Sequence, residues 1–260
     1  MSYHAAAFYI TAYPDDCALF RGRQIQADRA NRNTKVVFIH TAGGESVDPE
    51  GNWQAQGSSS AAQSAGTAQP LTTHLTQINN HPIVVYECDN CATYHLRLPD
   101  GNTDGSGFAM TNYESLSKLH DWKPDQPDAV SCTLHALDGS TLYSSWQDFC
   151  DTLAGSLAYE RQGVYNLHPW INVPDYGAER VRADHKGIAD AVRSFARSGF
   201  YNRAWWQTFS RPTNLPYRRK VERITALNRH VYHLNTDQTH DCRLVPWYQP
   251  DPDLPAYEGS

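Results

Sequence analysis

Apolar positions along the chain fall into short continuous runs and two periodic stretches. Phe8 to Ala12 and Val36-Val37-Phe38-Ile39 are unbroken apolar runs rich in aromatic and β-branched residues, the pattern of strands buried on both faces of a parallel sheet. Val84-Val85-Tyr86 and Thr93 to Leu98 read as two further strands joined by a tight turn at Cys88-Asp89-Asn90-Cys91, and Ile171-Asn172-Val173 as a strand entering a loop at Pro174. Trp146, Phe149, Leu153 and Leu157 recur at helical spacing behind a capping-box-like Ser145-Trp146-Gln147-Asp148, and Ile188, Val192, Phe195 and Ala196 share one helical face that Gly199 closes. Strands alternating with helices predict an α/β protein with a Rossmann-like, mostly parallel sheet and helices on both faces. A single domain is expected over 1–260, with a small β insert at about 81–110 and a proline-rich tail at about 246–260. Residues 51–69 are small and polar, a composition for a marginal helix or a lid-like loop. The aromatics after Gly199, Trp205, Trp206 and Phe209 among them, are expected to stack on a planar ligand or to pack from a C-terminal helix.

Composition narrows the partners. A net charge of -6, with Arg218-Arg219-Lys220 as the one basic cluster, leaves no surface to track phosphates, so nucleic acid is not expected as a partner. No basic n-region precedes the first apolar run, which is too short to span a membrane, and a cytoplasmic protein acting on a small molecule is expected. The six cysteines are then expected to be reduced, and a lone CxxC is read as a hairpin turn in preference to a metal knuckle. Oligomeric state is left open, since no heptad or long apolar stripe is present.

Two polar stretches stand where chemistry is expected. Pro14 breaks the chain after the first strand and puts Asp15 and Asp16 just beyond its carboxyl end, where open α/β sheets bind ligands. The alternative is that these acids only cap the helix that follows. Arg182-Ala183-Asp184-His185 opens the last periodic helix, with Asp184 as a candidate N-cap and His185 in its first turn, where an imidazole and a carboxylate can hold a metal together. His40, at the end of the second strand, Asp184, and Asp175 and Tyr176, after the Ile171 strand, are candidates for substrate contacts at the same rim.

Taken together, Ala12-Tyr13-Pro14-Asp15-Asp16 and Ala183-Asp184-His185 resemble the two signature motifs of LmbE-like, PIG-L-type N-acetylglucosaminide deacetylases. Lys35 to Gly44, Leu96 to Asn102 and Ser144 to Phe149 are similar to further segments of that family, so the likeness spans roughly residues 5 to 200. The resemblance implies a metal-dependent hydrolase that removes an acyl group, expected to be acetyl, from an N-acylated amino sugar or related metabolite. It implies zinc as the cofactor, Asp16 and His185 as two ligands, Asp15 as the general base, and Asp184 as a carboxylate beside the site.

Three positions depart from the family pattern. Tyr13 stands where the family has a histidine ligand, and a phenol with a reference pKa of about 10 serves zinc only as phenolate. Gln56-Gly57 replaces a charged Arg-Glu pair, and Arg182 replaces a histidine placed to polarise the reacting group. The third metal ligand is then Tyr13 or His40, with Arg182 as a catalytic residue that meets the oxyanion. The alternatives are a metal-free enzyme using Asp15, Tyr13 and Arg182, or a non-catalytic binding protein on the same fold.

Overall fold

The computed structural model describes residues 3–13, 16, 25, 27–44, 72–123, 125, 132–164, 170–174, 182–197 and 205–209. Strands β1 (Ala5–Thr11), β2 (Thr34–Gly44), β3 (Thr72–Ile78), β4 (His81–Cys88), β5 (Cys91–Pro99), β8 (Trp170–Pro174) and β9 (Trp205–Phe209) form one seven-stranded sheet in the order β3-β4-β5-β2-β1-β8-β9. A two-stranded ribbon joins β6 (Leu134–His135) to β7 (Leu142–Tyr143). Strands β5, β2, β1, β8 and β9 run parallel, and only the β3-β4-β5 side is antiparallel. The expected α/β class with a mostly parallel sheet is therefore what the chain forms.

The hairpin expected as a small insert is joined to the main sheet, because β5 pairs with β2 from Val36↔Cys91 onward. Its turn is Asp89-Asn90, with Cys88 opposite Cys91, and Asn90 donates from Nδ2 to the Thr34 carbonyl at 2.8 Å, tying the turn to the start of β2. The aromatic run at 205–209 is an edge strand, not helix. Two Trp, a Thr and a Phe in five residues favour extended backbone, and β9 takes its register from β8, Trp170↔Trp205 to Pro174↔Phe209. The small polar stretch at 51–69 and the proline-rich tail lie outside the described residues.

The main core lies on one face of the sheet. Phe8 and Ile10 of β1, Val37 and Ile39 of β2, and Tyr94, Leu96 and Leu98 of β5 meet three helices, α1 (Leu116–Asp121), α2 (Trp146–Glu160) and α3 (Ala183–Arg197). These supply Leu116 and Leu119, then Phe149, Leu153 and Leu157, then Ile188 and Val192, so the helical periodicities face inward as their spacing predicts. The alternate residues Ala7, Tyr9, Val36, Phe38, Cys88 and Cys91 form a smaller cluster on the other face, against Ile25. There Tyr9 donates its hydroxyl to Asp28 Oδ2 at 2.5 Å, which holds a second helical stretch, 27–30, on that face.

Ser145 caps α2, its Oγ accepting the Asp148 N–H at 3.1 Å. Asp148 in turn accepts from His81 Nε2 at 2.8 Å, Asn79 Nδ2 at 3.0 Å and the Ser144 N–H at 3.1 Å, so the helix start is bound to the β3-β4 turn. Among the described cysteines Cys91, Cys132 and Cys150 are free thiols, and no described helix is long and apolar enough to cross a membrane.

Candidate functional site

Because β1, β2, β5 and β8 run parallel, their carboxyl ends share one edge of the sheet. The site forms there, where the chain leaves β1 for β2 on one side and later places β8 on the other, the crevice at which α/β sheets bind ligands. Beyond Thr11 the backbone turns, and the Asp16 N–H donates to the Tyr13 carbonyl at 3.2 Å while the Tyr13 N–H donates to Asp16 Oδ2 at 3.0 Å. This reciprocal pair points the Asp16 carboxylate back over the strand end.

His185, in the first turn of α3, meets it there. Its Nε2 donates to the same Asp16 Oδ2 at 2.8 Å across 169 residues of sequence. Burial pushes the His185 pKa down, but the Asp16 carboxylate, aided by Asp184, outweighs it and holds the imidazole above its ordinary value. The charged form of His185 is thus favoured by a fixed carboxylate, and in that form Nδ1 is its second donor.

Tyr13 follows a different course. Its hydroxyl donates to Asp184 Oδ2 at 2.8 Å and lies 3.1 Å from Asp100 Oδ1, while its ring stands edge-on to His185 with centroids 5.6 Å apart. Asp100 follows β5 directly. Between His40↔His95 and Ala42↔Leu98 one residue of β2, Thr41, stands opposite two of β5, Leu96 and Arg97, the latter at φ 54, and the register is restored by Gly44↔Pro99, just before Asp100. The Gly101 N–H donates to Asp184 Oδ2 and the Asn102 N–H to Asp100 Oδ1, at 2.8 and 2.7 Å. A Cβ at position 101 would lie 2.4 Å from Asp184 Oδ1, so only glycine admits this contact. Arg182 completes the group, its guanidinium 5.1 Å from the Tyr13 ring centre and 3.6 Å from Asp100 Oδ2.

Two buried acids thus face one phenolic proton. Burial pushes the Asp184 carboxyl up to about 6, aided by Asp100 and opposed by the Gly101 N–H and the Tyr13 hydroxyl. Its Oδ1 is buried without a hydrogen-bond partner, which costs less on a neutral acid than on a carboxylate. Burial, then Asp184 and Asp100, hold the Tyr13 phenol far above its usual range.

The structure therefore brings together Tyr13, Asp16, Arg182, Asp184 and His185. Asp184 is no N-cap, since α3 begins at Ala183 and the carboxylate is turned to Gly101 and Tyr13. His40 is elsewhere. It shares the second face of the sheet with Phe38 and His95, its Nδ1 2.8 Å from Thr11 Oγ1 and its ring 5.1 Å from that of His95, while the turn beyond Thr11 carries Tyr13 to the main core on the first face. Asp15, Asp175, Tyr176, Gln56 and Gly57 lie outside the described residues. Asp100 and Gly101 stand in a Pro-Asp-Gly turn after a strand, a signal that marks a turn but not what the turn faces.

The implied zinc does not suit the described donors. A catalytic zinc takes three protein ligands and keeps a position for water. Asp16 and His185 converge, but the hydroxyl of Tyr13 is turned to two acids instead. Among the described residues, no three His, Cys, Asp or Glu side chains gather as a metal-holding group.

No protein-family model matches the sequence, and no curated protein matches it. Among solved structures the chain is similar to an N,N'-diacetylchitobiose deacetylase from Pyrococcus horikoshii in complex with an inhibitor. That likeness has 10% identity and a TM-score of 0.45, over 88% of this chain and 70% of that one. It is also similar to a teicoplanin deacetylase in its zinc-inhibited form, at 12% identity and a TM-score of 0.43, over 87% of this chain and 84% of that one.

Proposed function

We propose that this chain is an N-deacylase-type hydrolase acting on a small N-acylated amine of the amino-sugar class. The observation that carries this reading is the 2.8 Å bond between His185 Nε2 and Asp16 Oδ2 at the carboxyl end of β1. It joins in space the two sequence stretches that resemble the deacetylase motifs. A carboxylate that favours the charged form of an imidazole, at a ligand-binding edge, is an arrangement for proton delivery.

The roles follow from charge and position. Asp15, next to the fixed Asp16, takes a proton from water as the water oxygen bonds to the amide carbonyl carbon. Arg182, on the rim beside Tyr13, meets the negative charge that grows on the carbonyl oxygen. As the C–N bond breaks, His185 gives the proton on Nδ1 to the leaving nitrogen, and Asp16 keeps the ring oriented through Nε2. The products are a carboxylic acid and an amine, and the proton on Asp15 returns to His185 through solvent. Asp175 and Tyr176, at the exit of β8, are assigned to the sugar or its equivalent. His40 serves from the far face as a support for the strand end.

Amine release from a panel of N-acetylated amino sugars tests the reading. His185→Gln and Asp16→Asn are each expected to lower kcat/KM by about 10²- to 10⁴-fold, the usual worth of a positioned acid or base, with the circular-dichroism spectrum unchanged. Release at the parent rate in both folded variants would sink it.

A further inference from the structure

The position that the resemblance gives to a metal ligand holds a group already committed elsewhere. A phenol binds zinc as phenolate, and at position 13 the oxygen would carry that charge 2.8 Å from Asp184 Oδ2 and 3.1 Å from Asp100 Oδ1. As a neutral hydroxyl it instead supplies the proton that binds this carboxyl pair. The oxygens that face the Tyr13 hydroxyl also accept backbone N–H groups, Asp184 Oδ2 from Gly101 and Asp100 Oδ1 from Asn102, so both carboxyls are held where they meet the phenol. The arrangement closes on itself, and Asp16 and His185 are left to bond to one another.

We propose that Tyr13 makes this pocket metal-independent. Its hydroxyl, tethered to Asp100 and Asp184, occupies the third ligand position and withholds it from zinc, while Asp16 and His185 stay bonded to one another. An imidazole at the same position would reverse this. Shorter than the phenol, it would give up the tether to Asp100 and Asp184 and offer a neutral nitrogen donor in place of a phenol. The inference rests on the functional reading only for the identity of the pocket, and its test needs no substrate.

The experiment measures zinc per chain by atomic emission after dialysis against excess zinc and then buffer, with thermal melting alongside. The parent is expected to keep no stoichiometric zinc and to show no zinc-dependent shift in Tm. Tyr13→His is expected to keep about one zinc per chain, as a three-ligand site should, and to lose it when His185→Ala is added. One zinc on the parent that His185→Ala removes would overturn the proposal, and this is readable whether or not Tyr13→His folds. A folded Tyr13→His that holds no more zinc than the parent would overturn it as well. Failure of the functional reading looks different: no amine released by the parent, whatever the zinc pattern.

Discussion

Asp184 is the residue on which the site's electrostatics turn. Its carboxyl is pushed up to about 6 in the fold, against a reference of about 3.9, so folding favours the protonated form. That contribution is fully present below the unfolded value of about 4 and is lost as pH rises through about 6. His185, also raised, contributes stability below about 6.5 that disappears as pH climbs through its folded value, so both groups act in the same direction. Urea midpoints are expected to fall between about pH 4 and about pH 8, and Asp184→Asn, permanently neutral, is expected to remove about 1–3 kcal/mol of that fall. An unchanged pH dependence in the variant would show that Asp184 is ionised throughout. Asp16 is legible in the sequence because it stands just past the end of an apolar run, and Asp184 and His185 because they open a periodic helix. Asp100 is not, because a Pro-Asp-Gly turn after a strand says nothing of the distant phenol it meets.

At the scale of elements, the two long helices are those whose periodicity is plain, and each turns its apolar face to the core, while β3, a mostly polar strand, carries no apolar run to announce it. Strand β9 shows what periodicity cannot decide. A short aromatic run reads equally as helix or strand, and a neighbour with free pairing positions settles it. The β4–β5 hairpin shows another limit, since local pairing is visible in sequence but the partner of its outer edge is not. The start of α2 was read correctly because capping is local chemistry: Ser145 Oγ accepts the Asp148 N–H three residues on. Ser145→Ala is expected to cost about 1 kcal/mol by chemical denaturation, with Ser145→Thr recovering most of it. The loss should spread to the β3-β4 turn, since Asp148 also holds His81 and Asn79.

On the scale of the whole molecule, one apolar layer between the sheet and three helices carries the fold, and a polar edge above it carries the chemistry. The buried thiols tie the first of these to time. Burial pushes the Cys91 thiol, at the hairpin end of β5, and the Cys150 thiol, on the inner face of α2, each up to about 11. A thiol so held is almost wholly protonated at neutral pH and walled off from reagents, so it reacts only during a transient opening. Alkylation followed by mass spectrometry is expected to mark half-buried Cys132 first and Cys91 and Cys150 far later. Equal rates for Cys132 and Cys150 would mean that α2 lifts from the sheet as often as a surface loop moves. The two sulfur atoms are then clocks set into opposite faces of one sheet, and the difference between their rates tells which face lets go first.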